Sequence, residues 1–154
     1  MGLWDHSGGA TRYPVHMLNL ALVFLGGGTG AALRYLASIG TAAALRPWTH
    51  SDEGVAHADA LLGLLPLATL LVNITGCFLI GLAIPSLTER DDLRHLLIVG
   101  LLGGFTTFSA FGHETVALHH AHHNALAVLY VLLSVFLGAA AVLLGNALMG
   151  RGSP

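Results

Sequence analysis

The sequence predicts an all-α membrane protein of four transmembrane helices, the third broken mid-span. Three observations predict it. Of 154 residues, 55% are hydrophobic and only 9% charged, against about 25% charged in soluble domains. The apolar residues gather into four runs, each long enough to cross a bilayer at about 1.5 Å per helical residue. No stretch alternates apolar and polar residues with period two, so no strand is expected. The composition also excludes partners and classes. The six basic residues are all arginines and the net charge is −2, which leaves too little positive charge for a nucleic-acid partner. Cys77 is the single cysteine, so a secreted module stapled by internal disulfides is excluded.

The elements follow in order. Residues 1–16 form a polar lead, in which Gly2 is followed by His6 where a myristoylation signal needs Ser or Thr. The first helix is expected at 17–39, with Asn19 and Arg34 its main polar interruptions. It is longer than a signal-peptide core and lacks the basic front end, so it reads as retained. Residues 41–63 read as a long loop carrying Pro47, His50, Asp52, Glu53, His57 and Asp59. The second helix is expected at 64–84, ended by Pro85, with a polar turn to Asp92. The third apolar stretch, 93–119, is interrupted between Gly103 and Ser109. A turn at 121–124 leads to the fourth helix, 125–149, and a polar tail, 150–154. The chain thus reads as one four-helix domain, 17–149. Arg12, Arg90, Arg94 and Arg151 lie on one side, and Arg46, with Arg34 near the same helix end, on the other. The excess favours the orientation with both termini in the cytoplasm.

The interruption carries the most information. Gly103-Gly104-Phe105-Thr106-Thr107-Phe108-Ser109 mixes poor helix formers with hydroxyls that compete for backbone hydrogen bonds. Freed backbone groups at membrane depth must be buried in protein, bind an ion or line water. Two readings stay open: a kink that serves packing, or an ion site of the kind transporters build from broken helices. On the second helix Thr69, Asn73, Gly76 and Ile80 share one face by i, i+3, i+4 spacing. Asn73 either glues helices together or donates into a pore. Tyr130, Ser134 and Gly138 make a second thin polar stripe at i+4 spacing on the fourth helix.

Three other patterns lead elsewhere. Gly26, Gly28 and Ala31 fit a dinucleotide-binding spacing, with Asp52 about 20 residues on. That motif needs a preceding strand, and here the flanks are one apolar helix. Gly26 and Gly30 instead make a small-x-x-x-small pair for close helix approach. His113-Glu114 opens like a zinc-hydrolase helix, but Ala117 stands at the second ligand position. His113 and the run His119 to His123 read as a solvated helix end or a surface metal patch. Glu114 is the one acid within a predicted span, close to a helix end.

Three motifs together resemble those of the bacterial fluoride-channel family known as CrcB or Fluc. They are Gly26-Gly27-Gly28-Thr29-Gly30-Ala31 with Arg34-Tyr35, Ala68-Thr69-Leu70-Leu71-Val72-Asn73-Ile74-Thr75-Gly76, and Gly103-Gly104-Phe105-Thr106-Thr107-Phe108-Ser109-Ala110-Phe111. The resemblance spans roughly residues 18–148. It implies an antiparallel, dual-topology dimer with itself or a homologous subunit, in the lipid of a bacterial inner membrane. It implies a multi-pass channel, not an enzyme, that passes fluoride. Carried over by position, Asn73, Phe108, Phe111, Tyr130, Ser134 and Thr69 would line the fluoride path. Arg34 would sit at a vestibule. The backbone carbonyls of Gly103 and Thr106 would hold a structural sodium ion that is not transported. Ala110 departs from the Thr usual between the phenylalanines, and Gly138 stands where some members carry a polar residue. The 41–63 loop and the histidines lie outside the family pattern.

The implied activity is a passive route for cytoplasmic fluoride that lowers its toxicity. Two other classes stand beside it. A four-helix, dual-topology coupled exporter would need an early intramembrane carboxylate, and the first two helices have none. A metal-binding membrane subunit would use the histidines.

Overall fold

The computed structural model describes residues 17–49 and 65–150. The expected lead, most of the 41–63 loop and the last four residues of the tail lie outside the described residues. Four segments are long and apolar enough to span a bilayer: Met17–Thr41, Leu67–Ser86, Asp91–His120 and Asn124–Gly150. The described residues contain no strand.

Helix α1 (Met17–Thr49) runs ten residues past the expected end at Ile39. The apolar run stops there, but the Ala-rich stretch after Thr41 favours helix on its own account. Hydropathy reads the membrane, whereas the helix continues as long as its backbone bonds do. Helix α2 (Leu67–Ser86) starts three residues later than expected, because Pro66 takes the N-cap position. Proline fits a helix start, where its missing N–H is not needed. Pro85 does not end α2 as expected. It sits inside the last turn, and the Leu87 N–H closes the end on the Ala83 carbonyl at 3.1 Å.

The third span is the irregular one. A short α-turn at Asp91–Leu93 leads into a π-helical stretch, Arg94–Leu102. One further α-turn, Gly103–Phe105, ends at the break. Helix α3 (Phe108–His120) then resumes. The break is narrower than the expected interval from Gly103 to Ser109. It consists of Thr106 (φ −76°, ψ 157°) and Thr107 (φ −148°, ψ 122°), both extended. Helix α4 (Asn124–Gly150) extends one residue beyond each expected end.

Two close helix pairs make the bundle: α1 against residues 94–105, and α2 against α4. Glycine makes both possible. A methyl on Gly30 would overlap the Leu101 carbonyl oxygen and stand 2.8 Å from the Phe105 nitrogen; one on Gly104 would come within 2.9 Å of the Gly27 Cα. The Gly26/Gly30 pair therefore lets α1 touch backbone to backbone, as its spacing predicts. On the other side, a methyl on Gly145 would stand 2.9 Å from the Leu82 nitrogen. A small core of Leu70, Leu118, Leu126, Ala127 and Tyr130 joins α2, α3 and α4 on the far side of the break.

Candidate functional site

One face of α2 holds the third span residue by residue. Thr69 donates its hydroxyl to Glu114 Oε1 at 2.6 Å. Asn73 meets the break itself: its Nδ2 donates to the Thr107 carbonyl at 3.0 Å, and the Thr107 N–H donates to Asn73 Oδ1 at 2.8 Å. Gly76 leaves room for Thr106, whose methyl occupies the space a Cβ on Gly76 would need. The i, i+4, i+7 register on α2 is thus the register of its contacts with the third span.

The backbone of the break is satisfied piece by piece. The Thr106 N–H and hydroxyl both donate to the Leu102 carbonyl, at 3.0 Å each. Thr107 caps α3, its Oγ1 accepting from the Ala110 N–H at 3.2 Å. Its hydroxyl also lies 3.2 Å from Ser109 Oγ. Helix N-termini leave several N–H groups without intrahelical partners, and an N-cap hydroxyl satisfies one.

Two cavities flank the break and share Thr107 as a wall. The first, about 370 Å³, is lined by Arg34, Tyr35, Ser38, Thr69, Thr107 and Glu114 among others. The second, about 270 Å³, is lined by Asn73, Cys77, Thr106, Phe108, Phe111 and Ser134 among others. A row of rings runs beside them. Phe108 and Phe111 have centroids 5.4 Å apart, tilted by 48°. Phe111 and Tyr130 lie 5.3 Å apart, tilted by 50°. Such tilted pairs set the positive edge of one ring against the face of the next. Phe108 is 82% exposed on the single chain, whereas Tyr130 is fully buried.

The structure therefore brings Arg34 and Thr69 to the first cavity and Asn73, Thr106, Phe108, Phe111 and Ser134 to the second. Tyr130 is placed behind the rings, and its hydroxyl donates to Glu114 Oε2 at 2.7 Å. Gly103 stands one turn before the break and lines neither cavity. Two buried polar atoms, Arg34 Nε and Ser134 Oγ, have no hydrogen-bond partner among the described residues. Each belongs to a residue that lines a cavity.

Sequence reasoning left Glu114 and Thr107 out of the site. Glu114 is one turn beyond Phe111, and both its carboxylate oxygens accept a hydroxyl, from Thr69 and Tyr130. Its signal was its charge within an apolar span. What obscured it was its nearness to the helix end, because the sequence does not show which neighbours reach it. His113, His119, His120, His122 and His123 line neither cavity. His119 Nδ1 lies 2.7 Å from Asn124 Oδ1, closing the turn into α4. Among the described residues no three His, Cys, Asp or Glu side chains converge as metal ligands would.

Fold and site together define a multi-pass membrane protein built around an interrupted span, with polar groups gathered at the interruption. The family model described as CrcB-like protein, Camphor Resistance (CrcB), matches residues 21–146. Curated relatives extend the match. The chain is 42% identical over 134 residues to the fluoride-specific ion channel FluC of Solibacter usitatus, covering 84% of this chain and 97% of that protein. It is 39% identical to the protein of that name from Phocaeicola vulgatus, covering 84% of this chain and 96% of that protein. Against the one from Coxiella burnetii the identity is 40%, over 87% of this chain and 98% of that protein. The chain belongs to the CrcB family and is a multi-pass bacterial membrane protein.

Proposed function

We propose that this protein is a fluoride-selective channel that lets cytoplasmic fluoride leave down its electrochemical gradient. The observation that carries the reading is the pair of cavities flanking the Asn73-held break, in a chain whose relatives are named fluoride-specific ion channels.

Fluoride is small and strongly hydrated, so a path must replace its water with donors weak enough to release it. Asn73 carries two N–H donors and commits one to Thr107. The second is available to the cavity it lines. The unpartnered Ser134 hydroxyl supplies an O–H, and the edges of Phe108 and Phe111 supply positive rims. Thr69 and Tyr130 act differently, since both hydroxyls are held by Glu114. They shape the path by fixing that carboxylate beside the first cavity. Arg34, in the same cavity, attracts anions to its mouth.

Passive conduction is enough for export. Hydrogen fluoride enters neutral and dissociates inside, and an inside-negative potential drives the anion out. The potential contributes about 2.3 kcal/mol per charge per 100 mV, roughly a 50-fold gradient.

The assembly we propose is an antiparallel dimer, of this chain with itself or with a homologous subunit. It would cover Phe108 and add a second wall to the cavity beside it. The sodium site belongs to the same proposal, and the break fits it. The carbonyls of Gly103 and Thr106 lack their usual i+4 donors: Thr106 and Thr107 are extended, the Thr107 N–H goes to Asn73, and the Ala110 N–H goes to Thr107 Oγ1. Carbonyl oxygens suit a hard cation, and a second subunit would double the set. When bound, the ion supplies a fixed positive charge that lowers the cost of nearby anions.

The test is fluoride efflux from liposomes containing only the purified chain, or the chain with its homologous subunit. Fluoride efflux with chloride excluded is expected. No efflux from either preparation overturns the reading.

A further inference from the structure

We infer that Asn73 and Thr107 are positioning residues for the cation site: their side chains hold the break open by taking the two N–H groups that an unbroken helix would give to the Gly103 and Thr106 carbonyls. The inference rests on the sodium reading above and adds the residues that make the site available.

In an uninterrupted α-helix each carbonyl accepts from the N–H four residues on. For Gly103 that donor is Thr107, and for Thr106 it is Ala110. Here the Thr107 N–H lies 2.8 Å from Asn73 Oδ1, and the Ala110 N–H lies 3.2 Å from Thr107 Oγ1. The alternative donor for Gly103, the Thr106 N–H, bonds to Leu102 at 3.0 Å. Neither carbonyl therefore keeps its regular helical partner.

Asn73 does this in a specific way. Thr107 has strand-like angles, φ −148° and ψ 122°. Its N–H and carbonyl both bond to one side-chain amide. Two antiparallel strand residues that exchange both bonds have the same pattern. The Asn73 carboxamide is thus a one-residue strand partner for the break. Only one orientation of the amide satisfies both bonds, oxygen toward the Thr107 N–H and nitrogen toward its carbonyl. The room for this conformation comes from Gly76, three residues on, where a side chain would displace Thr106. Without the Asn73 acceptor, the Thr107 N–H in an apolar medium has the Gly103 carbonyl as its nearest regular partner. The helix would then close across the break and consume the ligand.

A packing role for Asn73 would lower stability and leave sodium affinity unchanged. A purely anion-binding role would lower flux and leave sodium affinity unchanged. Sodium affinity therefore separates the readings. The full-length protein, in the assembly that conducts, is titrated with sodium chloride against a background of N-methylglucamine chloride, reading the thermal stability of the detergent-solubilised assembly. The wild type is expected to be stabilised saturably. Asn73→Leu and Thr107→Val are expected to raise the half-saturating sodium concentration at least tenfold, and Thr107→Ser, which keeps the hydroxyl, to preserve it. If Asn73→Leu does not assemble, the Val and Ser variants at Thr107 decide. Wild-type sodium response in Asn73→Leu and Thr107→Val overturns the inference and leaves the sodium reading standing. Loss of response in Thr107→Ser as large as in Thr107→Val also overturns it. A wild type indifferent to sodium overturns the sodium reading, and the inference with it.

Discussion

Phe108 and Phe111 lie on one turn of α3 with their rings 5.4 Å apart, and their roles turn on whether the ring edge or the volume matters. Volume-conserving apolar swaps usually cost under about 1.5 kcal/mol. If the edges meet fluoride, Phe108→Leu and Phe111→Leu should assemble normally and lose at least about tenfold in liposome fluoride efflux, the equivalent of ~1.4 kcal/mol. Phe105 packs near Gly76 instead, and Phe105→Leu should conduct normally. Normal efflux from both pore variants would return the pair to packing. Tyr130 poses a complementary question, because its hydroxyl ends on Glu114 rather than in a cavity. Tyr130→Phe leaves one carboxylate oxygen without its donor and should lower stability by roughly 1–3 kcal/mol. Denaturant or thermal unfolding of the purified protein would show it, and an unchanged midpoint would mean water replaces the hydroxyl.

At the scale of elements, the prediction concerns which glycines the helix pairs need. Gly28 has open space around a would-be side chain, whereas Gly30, on the same helix, would meet Leu101 and Phe105 backbone. Gly28→Ala should be neutral or stabilise the protein by up to about 1 kcal/mol through helix propensity. Gly30→Ala should push α1 off the third span and destabilise by roughly 1–3 kcal/mol. Thermal unfolding of the two variants side by side tests this. Equal midpoints would show that stability does not depend on the close approach of α1 at Gly30. The π-helical turns at Arg94–Leu102 belong to the same contact, since Gly100 within them meets Gly26 and the Val23 carbonyl.

For the whole molecule, the arginine distribution bears on assembly. An antiparallel homodimer needs both insertions, and Arg12, Arg90, Arg94 and Arg151 favour one. Arg94 is also free to change. Its contact with Asp91 is 3.9 Å, with side chains 52% and 81% exposed, a surface pair worth about 0–1 kcal/mol. Arg90→Gln with Arg94→Gln should therefore leave the fold intact and weaken the orientation bias. If the bias limits pairing of the chain with itself, the double variant expressed alone should give several-fold more fluoride flux than the wild type expressed alone. Equal flux would show that insertion is not limiting.

Span number, apolar identity and the existence of a break were legible in the sequence because each depends on composition along the chain. So were the small-residue contact of Gly26 and Gly30 and the shared face of Thr69, Asn73 and Gly76, because helical periodicity fixes which residues share a face. Where α1 ends was not legible, since hydropathy marks the membrane rather than the backbone. The partners were not legible either. Asn73 and Thr107 are 34 residues apart, and Thr69 and Glu114 are 45 apart. Nothing local says that one amide will hold a strand-like residue inside a helix, or that two hydroxyls will converge on one carboxylate. Local patterns decide which groups are available along a helix face. Only the packing of α2 and α4 against the third span decides which of those groups bond to each other and which remain for an ion.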